Sequence, residues 1–406
     1  MDAFAVLTWT SFAAWSLLSL WWWRGMRRLE VLRGAPAAAP AAGWPSVSVV
    51  IAARDEVDTI GAALAGLLAQ DYPALELVLV DDRSEDGTGA VIERSVRSRD
   101  GAAGPPVRRL RIDALPDGWL GKTHAQARGA ALARGSWLLF VDADVRLAPD
   151  AIRAAVAHAL AARADHLGLL PRFDAPGGAR RHLVLAFETA FALLLTLLLR
   201  PWLASDPRSA TTLGIGAFGL YRRSAYLRAG GHDAVRLRAD DDLALAHAVK
   251  AAGGRSLVVF APDLARVTWY PGLRAALRGL EKNAFAGLRY SPTLVALVAL
   301  GLLATHVAPY LALPLGGATA RVGGVAVALV VVAVYGAYGR RAGAPAWYAL
   351  LHPLSVLALV LALLRSTVVT LWRGGIEWRG TRYPLSALRA ARRAEPLRRG
   401  TGRGRR

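Results

Sequence analysis

Residues Ala3 to Trp23 carry no charged side chain, and neither do Thr293 to Ala320, Val322 to Gly339 or Ala342 to Leu364, which hold only His306 and His352 as titratable groups of that kind. About 20 consecutive apolar residues cross a bilayer as a helix. These runs therefore set the first constraint: membrane segments flank a middle stretch that folds in water. The first run closes on Trp21, Trp22 and Trp23, followed by Arg24, Arg27 and Arg28. Interfacial aromatics and then arginines mark a cytoplasmic edge, which predicts an outside N-terminus and a cytosolic chain from residue 24. A cleaved signal peptide fits less well, because no basic residue precedes the run and the run is too long for such a signal. The three later runs raise a conflict. Three crossings put the tail outside, yet residues 373–406 hold eleven arginines against Glu377 and Glu395, a balance that belongs in the cytosol. One of the three segments is then re-entrant or interfacial.

Composition narrows the partners. The formal net charge is +20, but only Lys122, Lys250 and Lys282 among 50 basic residues are lysine. Enrichment in Arg, Ala and Gly reads as coding bias, and the charge reads as a basic surface beside anionic lipid rather than a nucleic-acid interface. No nucleic acid is expected as a partner. With no cysteine in the chain, disulfides, zinc–thiolate sites and cysteine nucleophiles are excluded.

After a Pro/Gly/Ala-rich linker at 33–43, strand and helix patterns alternate. Val47 to Ala53, Leu75 to Val80 and the run Trp137 to Val141 read as strands, the first and last of them buried, and Val107 to Ile112 as a poorer one. Helices are predicted from Ile60, over about 87–98, over about 122–133 and over 149–162. This alternation predicts an α/β domain with a mostly parallel sheet. His166 to Leu170 is a further strand, and Gly214 to Tyr221 reads as a glycine-dotted strand open to close approach by a ligand. Leu183 to Leu199 is very apolar but contains Glu188, and its uncharged part is too short to span; it reads as a buried or interfacial helix.

The acidic residues gather at strand ends. Asp55 and Glu56 follow the first strand, Asp81 and Asp82 the second, and Asp142 and Asp144 the fourth. In an open parallel sheet ligands bind outside the C-terminal strand ends. Three carboxylate pairs at one edge repel one another unless a cation or many hydrogen-bond donors sit between them. Asp240, Asp241 and Asp242 open a later helix; capping and the helix dipole account for them in isolation.

In order and spacing, Ala53-Arg54-Asp55-Glu56, Val80 to Thr88, Val141-Asp142-Ala143-Asp144 and the Asp241-Asp242 pair with Leu245 resemble the signature of family 2 glycosyltransferases of the GT-A fold. Leu115 to Lys122, Glu281 to Gly287 and Trp378 to Tyr383 are similar to a membrane-bound branch that includes hopene-associated and carotenoid-type enzymes and is related to ceramide glucosyltransferases. The resemblance implies a GT-A (Rossmann-like) cytosolic domain over 46–290. Around it lie a membrane helix at 1–24, a linker at 25–45, about three membrane segments over 291–372 and a basic tail over 373–406. It implies a nucleotide-sugar donor, a UDP-sugar, held by Asp55, Glu56, Asp81, Asp82, Lys122 and Asp142, and Mg²⁺ or Mn²⁺ held by Asp144 with Asp142. A hard cation prefers carboxylate and phosphate oxygens. Asp242 is implied as the general base of an inverting transfer, with Asp241 where the family usually has Glu; which of Asp240 to Asp242 is the base stays open. Gly216, Phe218, Lys282, Arg379 and Arg382 are weaker candidates for contact with acceptor or diphosphate.

The Gln-x-x-Arg-Trp motif of processive synthases is absent: the glutamines are Gln70 and Gln126, and no Arg-Trp pair occurs. A single transfer to a lipid alcohol such as a hopanoid, carotenoid or sphingolipid-like acceptor is expected, at a bacterial-type inner membrane with the catalytic domain in the cytoplasm. The competing readings are a polyprenyl-phosphate or short-polysaccharide synthase, and a membrane-tethered protein that binds nucleic acid or anionic lipid through its tail.

Overall fold

The computed structural model describes residues 3–34, 40–97, 104–178 and 180–393. Part of the linker, the residues around 98–103 and the last thirteen residues of the basic tail lie outside the described residues. In chain order the elements are α1 (Ala3–Met26), β1 (Val47–Ala53), α2 (Ile60–Leu68), β2 (Leu75–Asp82), α3 (Thr88–Arg97), β3 (Val107–Ile112), α4 (Gly121–Leu132), β4 (Trp137–Phe140), β5 (Val145–Leu147), α5 (Ala151–Ala161), β6 (His166–Leu170), β7 (Arg172–Phe173), α6 (Arg181–Leu199), β8 (Gly219–Arg222), α7 (Arg223–Arg228), α8 (Asp241–Ala251), β9 (Ser256–Phe260) and β10 (Ala265–Val267). They continue with α9 (Leu273–Gly279), α10 (Ala284–Gly287), α11 (Pro292–Leu302), α12 (Ala308–Leu315), α13 (Ala318–Ala342), α14 (His352–Arg373), β11 (Gly375–Trp378), β12 (Thr381–Pro384) and α15 (Leu385–Arg393). The chain divides into two compact units, one of residues 30–172, 201–267 and 390–406, the other of residues 1–29, 173–200 and 268–389.

The first unit is built on a seven-stranded sheet ordered β3-β2-β1-β4-β8-β6-β9. β1 runs parallel to β2 and to β4, with Val47 opposite Leu75 on one side and Trp137 on the other. β2 runs parallel to β3, while β8 is antiparallel to both β4 and β6. The central strands β1, β2 and β4 bear apolar residues on both faces because helices cover both, as parallel sheets require. Val50, Val78, Val80, Leu138 and Phe140 pack with Ala125, Leu245 and Val249 of α4 and α8. Each such fully buried side chain contributes about 1.5–3 kcal/mol. Gly129 lets α4 come this close, since a Cβ there would collide with Val50 Cγ1. Beside the main sheet lies a three-stranded one, β5-β10-β7. The antiparallel β5–β10 pair, which the sequence pattern did not reveal, starts directly after Asp144 and fixes where that residue's strand turns.

The second unit is helical. Among the described residues five helices are long and apolar enough to cross a membrane: Ala3–Met26, Arg181–Leu199, Pro292–Leu315, Ala318–Ala342 and Ala346–Arg373. α6 joins this group at 19 residues, two longer than the sequence pattern marked out. The strands on either side of it, β6 before and β8 after, are hydrogen-bonded neighbours in one sheet. Pro292–Leu315 is interrupted by a π-helical turn at Leu303–Val307, just ahead of Pro309. In that turn Thr305 accepts a 3.0 Å hydrogen bond on its carbonyl from Trp15 Nε1 of α1. Residues 375–393 form the β11–β12 hairpin and α15.

Candidate functional site

The acidic edge is assembled at the C-terminal ends of β2, β1 and β4, which are adjacent parallel strands. Two loops there are sewn together. Asp55 N–H donates to Ser84 Oγ (3.1 Å) and Asp55 Oδ1 accepts from Glu85 N–H (2.9 Å). Glu56 N–H donates to Thr88 Oγ1 (2.8 Å), and Glu56 Oε2 accepts from Thr59 Oγ1 (2.8 Å). Asp55 and Arg83 both hold positive φ, 53° and 60°, a conformation that non-glycine residues adopt only when their surroundings enforce it.

Side chains of the protein relieve the repulsion at Asp81, Asp82 and Asp142. Asp81 faces Arg111 (2.6 Å) and accepts from Ser84 N–H (3.1 Å), so it braces the loop after β2. Asp82 is held bidentately by Arg83 at 2.8 and 3.0 Å. Asp142 pairs with Lys122 Nζ at 2.7 Å, and the same ammonium lies 3.8 Å from Asp241 Oδ2. Burial opposes a charge on Lys122, but Asp142, Asp241 and Asp242 together outweigh it and raise its pKa.

Lys122 reaches this position because α4 begins at Gly121, where the backbone passes close to Asp82 and Arg83; a Cβ on Gly121 would lie 2.7 Å from Asp82 Oδ2. Asp142 and Asp242 meet across the 214–216 loop. Asp142 N–H donates to the Gly216 carbonyl (3.1 Å), and Gly216 N–H donates to Asp242 Oδ2 (2.8 Å). Leu243 N–H donates to Asp242 Oδ1 (2.7 Å). Gly216 leaves no room for a side chain, since a Cβ would stand 2.5 Å from Asp142 Oδ2 and 3.3 Å from Lys122 Nζ. Asp242 is pushed up to about 7, by burial first and by Asp241 second, with Lys122 working against them. Asp144 is likewise pushed up to about 7, by burial and then by Asp142 and Glu56.

Asp240 differs from its two neighbours. Burial would raise its pKa, but Arg238 and Arg392 more than offset that and hold it below the usual range. Its carboxylate takes two 2.8 Å bonds from Arg238 and one of 2.7 Å from Arg392. The Asp240 side chain makes no capping hydrogen bond to α8.

The weaker candidates separate. Gly216 sits in the cluster, whereas Phe218 is fully buried. Lys282 lies over the Trp378 ring at 3.8 Å, Arg382 donates to the Arg373 carbonyl, and Arg379 occupies the β11–β12 turn with φ 49°; all three belong to the helical unit. Among the described residues no three His, Cys, Asp or Glu side chains converge as a ready-made metal cage. Arg111, Arg238 and Arg392 were not legible from sequence as parts of this edge. Arg83 was, inside the Val80-to-Thr88 stretch, but without a role.

Residues 48–228 match the model of glycosyl transferase family 2. The chain carries a family 2 glycosyltransferase domain. Over 121 residues it is 36% identical to the succinoglycan biosynthesis protein ExoO of Rhizobium meliloti, covering 30% of this chain and 32% of that one. Over 102 residues it is 34% identical to a 4,4'-diaponeurosporenoate glycosyltransferase of Staphylococcus haemolyticus, covering 25% of each. The chain thus spans a third or less of the length of these two relatives. The fold is shared more widely. A mannosyltransferase from Pyrobaculum calidifontis, solved with GDP-Man and Mn²⁺, superposes with a TM-score of 0.54 at 19% identity over 91% of this chain and 99% of its own.

Proposed function

We propose that the protein is an inverting transferase that moves one sugar from a nucleotide-sugar, a UDP-sugar, to a membrane lipid alcohol. The observation that carries this reading is the meeting of Asp242 with the Lys122–Asp142 pair across Gly216. Asp242 is the general base: its raised pKa puts it near the pH at which proton transfer is most effective. It takes the acceptor's hydroxyl proton as that oxygen bonds to the anomeric carbon and the bond to the diphosphate breaks, which inverts the configuration. Asp240, locked by two guanidinium groups, is not available for this. Lys122 is close enough to the same point to pair with the departing diphosphate.

A divalent ion, Mg²⁺ or Mn²⁺, suits Asp144. A buried carboxyl crowded by Asp142 and Glu56 would ionise more readily with a cation beside it, and a hard cation there would accept diphosphate oxygens as further ligands. When bound, such an ion neutralises charge developing on the leaving group. The 4,4'-diaponeurosporenoate named for the staphylococcal relative supports a lipid acceptor.

The packing of the helical unit supports one topology. Thr8 of α1 lies against Gly323 of α13, and Arg27 and Arg341 interact at the other ends, so α1 and α13 run side by side in the same direction. Pro292–Leu315 leads up to the start of α13, making these two a hairpin of two crossings. α14 instead packs along α6 through Ala362, Val184 and Phe187, and pairs Arg365 with Glu281 midway along its length. It lies in the interface, exposing Leu354, Leu357, Leu361, Leu364, Val368 and Leu371, the spacing of a lipid-facing stripe. With two crossings between them, the chain after α14 returns to the side on which α1 ends. With Arg24, Arg27 and Arg28 after α1, that side is the cytoplasm.

The test is purified full-length protein in lipid nanodiscs, given UDP-sugars and a bacterial lipid extract, with products read by mass spectrometry. One added hexose per lipid, lost in Asp242→Asn and Asp144→Ala, is the expected result. Full turnover in both variants, or a ladder of masses, overturns it.

A further inference from the structure

We infer that Arg392, far outside the matched family region, is a positioning residue for the base: it closes a two-arginine clamp on Asp240 that sets the first turn of α8. This rests on the reading of Asp242 as the base.

Asp240 immediately precedes α8, and its carbonyl accepts the Ala244 N–H at 2.9 Å, the bond that starts the helix. Its carboxylate caps no helix N–H. Arg238 grips it from two residues away and so moves with the same loop; Arg392, 152 residues further along the chain, is the tie from outside. Arg392 and Asp240 are about four-fifths buried, at 19% and 21% side-chain exposure, so water screens the pair far less than it does a surface pair. Two residues on from the clamp, Asp242 has its two oxygens aimed by Gly216 N–H and Leu243 N–H. Both bonds depend on where the first turn of α8 sits. Gly214 is pressed against the Asp242 carbonyl, so a shift of that turn pushes directly on the loop that aims the base. A displacement of about 1 Å at a reacting group costs up to roughly a hundredfold in rate. Arg392 belongs to the sheet unit although residues 268–389 lie between it and the rest of that unit. A catalytic domain cut at residue 290 therefore lacks one arm of the clamp.

The experiment uses the full chain in nanodiscs and measures kcat and donor KM for Arg392→Ala, Arg392→Lys, Asp240→Asn and the Arg392→Ala/Asp240→Asn double variant. Hydrogen exchange is followed at the amides of Leu243 and Ala244. Arg392→Ala is expected to lower kcat about tenfold with donor KM within about twofold. Exchange at those two amides is expected to rise while the strand amides of β1 and β2 stay protected. Arg392→Lys is expected to recover part of kcat, and the double variant to fall no further than Asp240→Asn alone. Unchanged kcat in Arg392→Ala overturns the inference. So does a loss confined to KM, a multiplicative loss in the double variant, or exchange that rises across the whole sheet. Asp242→Asn run in parallel separates the two readings. If it keeps turnover, the base assignment fails whatever Arg392 does; if it is inactive while Arg392→Ala is normal, only the clamp fails.

Discussion

The chemistry at residue scale turns on one ammonium among four carboxylates. Lys122 lowers the pKa of Asp242, while burial and Asp241 raise it to about 7. The kcat/KM profile is expected to climb as pH rises through about 7, as the base loses its proton. Replacing Lys122 by Met removes the lowering influence, so that limb is expected to move to higher pH; a limb that stays in place or moves down contradicts the assignment. Loss of the base in Asp242→Asn is expected to cost on the order of 10²–10⁴ in kcat, measured with saturating donor and lipid. Folding carries the opposite sign. Because Asp242 binds its proton more tightly folded than unfolded, its contribution to stability is present below its ordinary value of 3.8 and is lost as pH rises toward about 7. Melting temperature should accordingly be lower at pH 8 than at pH 5 by a margin that Asp242→Asn removes. Chelation with EDTA is expected to abolish turnover, and added Mn²⁺ or Mg²⁺ to restore it.

At the scale of elements, small residues decide how closely helices approach the sheet. Gly129 faces Val50 and Val80 from α4, so Gly129→Val overpacks that contact and should destabilise by about 1–3 kcal/mol, read as a drop in melting temperature. β1, β3 and β6 begin and end where the sequence pattern places them: β1 is an unbroken, buried apolar run, while β3 keeps its bounds despite three arginines and partial exposure. The segment 214–221 was legible only in part. Its strand is β8, Gly219–Arg222, because residues 214–216 leave the sheet to wrap the start of α8 and bond to Asp242. No local periodicity reports a loop whose shape is set by a helix 25 residues later. The helix over 149–162 also starts later, at Ala151, with Pro149 outside it and Asp150 before the first turn.

Across the whole molecule, the proposed arrangement of crossings is open to direct test because the native chain has no cysteine. Single cysteines at 317, 344 and 393 are expected to label differently in intact cells: 317 from outside, 344 and 393 only after permeabilisation. Labelling of 393 from outside contradicts both the topology and the Arg392–Asp240 contact. The sequence by itself determined the apolar segments, the α/β alternation and the acidic strand ends, since each depends on residues adjacent in the chain. The tertiary structure decided which carboxylates meet, and it singled out Asp240 from Asp241 and Asp242 through arginines at 238 and 392. A carboxylate's role follows from the charges around it, and those charges arrive from parts of the chain that only folding brings together.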